Sequence, residues 1–132
     1  MSLEYVHADV FTSEPYSGNS LAVFADAPDL GTDQMVRITQ ELHHFESIFL
    51  RPTNDGRTVS ARVFDLVEEL PFAGNPVIGA AAVLQHRAAP GEDGRWHFRL
   101  AERVVNVEVE SVGDGYRARL DQGRPRKGGS AR

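Results

Sequence analysis

Apolar and polar side chains alternate from Tyr5 to Phe11, with Val6, Ala8 and Val10 on one side and Tyr5, His7, Asp9 and Phe11 on the other. That two-residue period predicts a half-buried first strand. Turn residues follow from Pro15 to Ser20, and the apolar run Leu21–Ala25, closed by Asp26 and Pro28, predicts a short buried strand. The two read as a hairpin with a long connection. Met35, Ile38, Thr39 and Leu42 recur at helical spacing, which predicts a helix from a Thr32 cap to about His43. Phe45–Leu50 and Thr58–Phe64 are strand-like, and the turn signal Asn54-Asp-Gly56 between them predicts antiparallel pairing. Val77, Ala80, Ala81 and Leu84 mark the apolar face of a second helix, from Pro76 to about His86. Trp96–Leu100, Val104–Val109 and Tyr116–Leu120 are short strands, the last two joined by a turn at Gly113-Asp-Gly115. About seven strands and two helices in this order predict an α+β domain whose sheet wraps on a helix.

The pattern changes most abruptly between Glu68 and Ala80, where a loop of turn residues joins the strand ending at Phe64 to the second helix. Proline suits a first helical position because its missing N–H has no partner there in any case. Pro76 is therefore expected at that position, Asn75 as N-cap and Gly74 where backbone approaches something closely. An open helix N-terminus gathers unpaired N–H donors and the positive end of the dipole, a seat for a carboxylate or a developing enolate. A plain capped turn would use the same residues. A fainter echo links Ser17-Gly-Asn-Ser-Leu-Ala-Val23 with Ala73-Gly-Asn-Pro-Val-Ile-Gly79, both placing Gly-Asn before an apolar segment.

Composition narrows the classes of function. A chain of 132 residues fits one domain, taken as residues 1–125, followed by a basic tail at 126–132 whose Gly, Ser and Pro cannot build a core. No apolar run approaches the ~20 residues of a membrane span, and the start lacks the basic and apolar regions of a signal peptide, so a cytoplasmic, soluble protein is expected. A net charge of −5 argues against nucleic acid as a partner. With no cysteine, proton chemistry must use carboxylates, His, Lys or Tyr.

Glu46 is the carboxylate that stands out, because it begins an otherwise apolar strand. Burial there would disfavour its charge and bring its pKa toward the range useful for proton transfer, whereas an edge position would leave it in water. His43 and His44 are adjacent and diverge on a helix, while His7, His86 and His97 are scattered without a ligand spacing, so no metal is expected. The serines lack a nucleophile elbow, and no phosphate or dinucleotide glycine loop occurs.

The order of segments says more than any one of them. Tyr5-Val-His-Ala-Asp-Val-Phe11, Gly18-Asn-Ser-Leu-Ala-Val-Phe24, Glu46-Ser-Ile-Phe-Leu50, Arg62-Val-Phe64 and Glu69-Leu-Pro-Phe-Ala-Gly-Asn-Pro-Val-Ile-Gly79 together resemble the amino-terminal half of the PhzF-like (phenazine biosynthesis) isomerases. The resemblance covers residues of about 4 to 125 and implies one half of a diaminopimelate-epimerase-like fold: a mostly antiparallel sheet wrapped around a central helix, with catalysis in the cleft between two such halves. It implies Glu46 as catalytic acid/base, acting without a cofactor on a small carboxylic acid. Gly74, Asn75 and Pro76, with Gly18 and Asn19, are then expected to bind substrate. The family's members are longer, and usually carry histidine at the position of Asn75. A homodimer, with two Glu46 side chains approaching one cleft, or a separate polypeptide supplying the second half is therefore expected. The alternative, favoured by Asn75 and by the missing second half, is a catalytically inactive half-domain serving as a ligand-binding or assembly module.

Overall fold

Among residues 4–10, 19–42, 46–101, 103–113 and 115–121, which the structure (a computed structural model) describes, ten elements form. In chain order they are β1 (Val6–Val10), β2 (Asn19–Phe24), α1 (Thr32–Leu42), β3 (Glu46–Pro52), β4 (Thr58–Phe64), β5 (Glu69–Leu70), α2 (Gly74–Ala88), β6 (Gly94–Arg99), β7 (Val104–Val112) and β8 (Gly115–Asp121). The strands make one mixed sheet in the order β1-β2-β3-β4-β6-β7-β8, with β5 added beside the end of β4. The expected β1/β2 and β3/β4 pairs are antiparallel, whereas β2/β3 and β4/β6 run parallel. Parallel neighbours need a crossover, and α1 and α2 supply these two.

Alternation along the inner strands sorts the core into two layers. Leu21, Val23, Ile48, Leu50, Ala61 and Val63 meet Val77, Ala80, Ala81 and Leu84 of α2. Ala22, Phe24, Phe49 and Phe64 point the other way and meet Met35 of α1. Because β2 and β3 are covered on both faces, their sequences read as continuous apolar runs.

The second helix departs from its expectation in extent and in pattern. It touches β1, β2, β3, β6, β7 and β8, including the strands at both ends of the sheet order. Ile78, Ala82 and Val83, off the expected apolar face, are accordingly half-buried as well. A helix packed against this many strands buries more than one narrow face. It starts at Gly74, with Ala73 as N-cap (φ −152°, ψ 126°) and no side-chain cap. Asn75 is thus not the N-cap and Pro76 is not the first helical residue. No N–H of a first turn has a helical partner, so proline is accommodated at the third position as readily as at the first. Thr32 is likewise no cap: its hydroxyl accepts from Arg62 Nη2 at 2.7 Å, and Gln34 Oε1 accepts from the Gly31 N–H instead, at 2.8 Å.

Fully buried Gln85 locks the other end of α2. Its Oε1 accepts from Trp96 Nε1 at 3.0 Å and from Arg57 Nη1 at 3.2 Å, while the Arg57 guanidinium lies 4.8 Å above the Trp96 ring. A Cβ on Gly94 would run into the Gln85 carboxamide. Gly94→Ala is therefore expected to displace Gln85, leave the buried indole N–H unpaired and cost about 1–3 kcal/mol. In a Gln85→Ala background the same change should cost much less, because the clash is gone. A urea-unfolding double-mutant cycle measures the coupling, and simple additivity of the two changes would contradict this account.

Candidate active site

Glu46 opens β3, an interior strand, and is only 9% exposed, so it is a buried glutamate and not one on a sheet edge. By strand alternation it shares the α2-side face with Ile48 and Leu50, and its neighbour on β2 is Leu21. Across the sheet, Ser47 pairs with Phe64. Continuing that register by one residue sets Glu46 opposite Asp65, the residue just after β4. Burial first, and the Asp65 charge second, raise the Glu46 pKa above the ordinary carboxyl value.

Asp65 was not foreseen, and the turn it organises explains its place. The Asp65 N–H donates to the Glu68 carbonyl at 3.0 Å, and its Oδ1 accepts from the N–H groups of Val67 at 2.7 Å and Glu68 at 2.8 Å. An aspartate binding its own backbone ahead in this way folds the chain sharply. The short strand β5, within the stretch expected to be loop, results from this reversal. On the opposite face, Arg62 holds Glu69 through two bonds of 2.7 and 2.9 Å and ties β4 and β5 to Thr32 of α1.

The start of α2 lies at the same end of the sheet as Glu46. Its last turns are pinned at the other end, where Gln85 meets Arg57 just ahead of β4, and Arg87 meets Asp26 just after β2 at 3.0 Å. At about 1.5 Å per residue, the 15 residues of α2 then carry Gly74 to the end where β4 finishes and β3 begins. Gly74, Asn75 and Pro76 form its first turn. Asn19, the first residue of β2, reaches this end as well, since β2 runs parallel to β3 with Leu21 beside Glu46. Gly18 lies outside the described residues, as do His43, His44 and the 126–132 tail. The two Gly-Asn pairs that echo in sequence are therefore not equivalent, because Asn19 begins a strand and Gly74-Asn75 begin a helix.

Space and charge around the helix start favour a ligand. A Cβ at Gly74 would meet nothing within 4 Å, so open space adjoins the first turn. Among the described residues no side chain caps the N–H groups of Gly74 and Asn75. Arg103, also not foreseen, places its guanidinium 4.7 Å above the Phe72 ring, two residues before the helix. Leu66 and Val67 of the neighbouring turn are exposed, Val67 to 76%. Among the described residues no cluster of His, Asp and Glu is placed to hold a metal ion, and no helix is long and apolar enough to cross a membrane. An open groove of ≈ 780 Å³ lies elsewhere, on the face of β6–β8 away from α2. Its Glu108 is already held by Arg95 and Arg119 at 2.6 Å each, so its charges are satisfied internally.

The described residues thus form an α+β half-domain with a buried carboxyl group at the end of the sheet where α2 starts. The chain belongs to the phenazine biosynthesis-like protein family (PhzC-PhzF), whose sequence profile matches residues 8–130. It is 38% identical over 119 residues to the trans-2,3-dihydro-3-hydroxyanthranilate isomerase of Pseudomonas fluorescens, covering 89% of this chain and 42% of that protein. The enzyme of the same name from Pseudomonas chlororaphis is 47% identical over 120 residues, again 42% of its length. A solved structure described as a predicted epimerase from Pseudomonas aeruginosa superposes with a TM-score of 0.83 at 46% identity, covering 93% of this chain and 44% of that one. The chain thus spans about two fifths of the length of these relatives.

Proposed function

We propose that this chain forms one wall of a cofactor-independent isomerase or epimerase-like site, in which Glu46 moves a proton between carbons of a small carboxylic acid. The observation that carries this reading is the position of a buried Glu46, its pKa raised by burial and then by Asp65, at the same end of the sheet as the first turn of α2. Gly74, Asn75 and Pro76, with the Gly18-Asn19 segment, would seat the substrate carboxylate, and the partial positive charge of the helix start would stabilise an enolate as it forms. The names of the relatives suggest a hydroxylated, partly reduced anthranilate as the kind of substrate. A fold of this kind takes the sheet, mostly antiparallel, as a wrap around α2 as its central helix. The facing wall comes from a second half-domain, either a second copy of this chain or a partner chain, and the exposed Leu66 and Val67 beside the site offer a surface for it. Sedimentation of the purified chain is expected to give twice its 14.5 kDa if the second copy serves.

The test is deuterium exchange from solvent into a panel of small cyclic carboxylic acids, followed for wild type and Glu46→Gln. Exchange that is equal in both would overturn the assignment. A second reading, a binding module without turnover, draws on Asn75, an amide that can hydrogen-bond a substrate but cannot shuttle a proton near neutral pH. Under that reading ligands bind, and neither protein exchanges. Gly74→Ala separates binding from folding: a methyl group meets open space and alanine favours helix, so stability should change by no more than about 1 kcal/mol. Substrate affinity, measured by calorimetry, should fall because the methyl group occupies the approach to the helix start.

A further inference from the structure

We propose that Glu46 and Asp65 act as a pair, in which Asp65 is a fixed anion and positioning residue and Glu46 is the mobile proton carrier. The inference rests on the reading of Glu46 as the acid/base. It assigns Asp65 a role that neither the sequence pattern nor the relatives' names provide.

Geometry gives the two carboxyl groups different roles. Glu46 and Asp65 adjoin the last rung between β3 and β4, Ser47/Phe64, and continuing that register by one residue sets them opposite each other on the α2 side of the sheet. Facing residues of an antiparallel pair have Cβ atoms roughly 5 Å apart, close enough for one charge to act on the other. Asp65 accepts two backbone N–H bonds, from Val67 and from Glu68. Those bonds hold Oδ1 to the turn. Glu46 has the opposite surroundings: it is nearly buried, Leu21 is its neighbour on β2, and the first turn of α2 carries no charged side chain. The remaining charged group of the 65–68 turn, Glu68, is exposed. The salt-bridged pair Arg62–Glu69 lies on the other face of the sheet and does not neutralise Asp65. His43 and His44, just ahead of Glu46, lie outside the described residues.

Burial and the Asp65 charge both act in the direction of a protonated Glu46, which fits this division. In the cycle Glu46, as the carboxylate, takes a proton from one carbon to leave the enolate, and returns a proton to a different carbon of the same molecule, with no net change in protonation. Asp65 never exchanges its own proton.

The test is a ¹³C NMR titration of the Glu46 carboxyl carbon in the full chain. Asp65→Asn retains an oxygen acceptor for the turn and removes the charge, so the Glu46 midpoint is expected to move down. Asp65→Glu retains the charge and should restore part of the shift. In wild type, raising salt from low to about 1 M should lower the midpoint by screening Asp65, which keeps the test available if Asp65→Asn unfolds. A midpoint unmoved by both Asp65→Asn and salt overturns the pairing, even where exchange still depends on Glu46. A midpoint that moves, together with exchange that does not depend on Glu46, overturns the acid/base reading and the carrier role with it. Movement in both measurements supports the proposal. Asp65→Asn should also shift the acid limb of the exchange pH profile downward, which a purely structural role of the turn would not do.

Discussion

Glu46→Gln is expected to lower the exchange rate by about 10²–10⁴-fold, the usual contribution of a positioned acid/base, while making the folded chain more stable at neutral pH. The two effects share one cause. The carboxyl group is held where its charge is unfavourable, by burial and then by Asp65. Its folded pKa lies above its unfolded one, so between those two values the folded state binds more protons than the unfolded state. Stability therefore falls as pH rises through that window, from about 4.3 upward, and the penalty is fully present above the raised value. Glutamine keeps the shape and carries no charge at any pH. Thermal unfolding should place the variant above wild type at pH 7 to 8, with the difference vanishing on acidification below the window. A variant less stable than wild type at neutral pH would mean that Glu46 is held by a favourable partner and not against a penalty. A functional group maintained at a cost in stability is a common feature of active sites, because the same burial that strains the fold brings the pKa within reach of proton transfer.

How much of this was legible in the sequence differs from element to element. The period of two in Thr58–Phe64 and the continuous apolar run of Leu21–Ala25 gave their strands directly, since alternation and two-sided burial leave unmistakable patterns. The registry that creates the Glu46–Asp65 pair was within reach too. Counting outward from the Asp55-Gly56 turn, where the Thr53 N–H donates to the Thr58 carbonyl, sets 46 opposite 65. Asp65 was missed because the predicted strand stops at Phe64 and the loop reading begins at Glu68, so the residue that folds the turn between them drew no reading of its own.

Other features could not be read locally. Helix ends are set by backbone groups that lack partners, and the sequence Ala-Gly-Asn-Pro allows the helix to start at any of several positions. In the structure the helix starts at Gly74. The contacts of α2 with β6, β7 and β8 are with strands that follow it in the chain, and one apolar face was all that spacing could give. Arg103 reaches the helix start only through the β6–β7 connection, so no motif around residues 68–80 could have announced it. For the same reason, sequence alone pointed to Glu46 without saying whether it was buried. That question is decided by its place between β2 and β4.

The second large effect falls on the reverse of the strand that carries Glu46. Phe49→Ala is expected to cost about 3–5 kcal/mol, the usual range for removing a buried phenylalanine from a core. Phe49 is 2% exposed and stacks on Phe24 with ring centroids 4.4 Å apart at 3°, while Phe64 meets it edge-on at 5.5 Å and 88°. The three rings stand on neighbouring strands, β2, β3 and β4, whose backbones are fixed by ladder hydrogen bonds, so the gap left by alanine cannot close by strand movement. Met35 of α1 could lean in, but α1 is held from β4 by the Thr32–Arg62 bond and from the 65–68 turn by Gln40 Nε2 on the Leu66 carbonyl at 2.8 Å. For a chain of this length the loss corresponds to a fall in Tm of roughly 10–20 °C. Phe49→Leu, which refills most of the volume, should recover more than half of it. The consequence reaches the candidate site, because the same strand presents Phe49 to one layer and Glu46 to the other. If Phe49→Leu lowers exchange much more than its stability loss implies at a temperature where it is fully folded, then packing behind β3 sets the position of the Glu46 carboxyl group. Equal exchange in Phe49→Leu and wild type would instead show that the Asp65 turn and the β2–β4 ladder suffice to hold Glu46 in place.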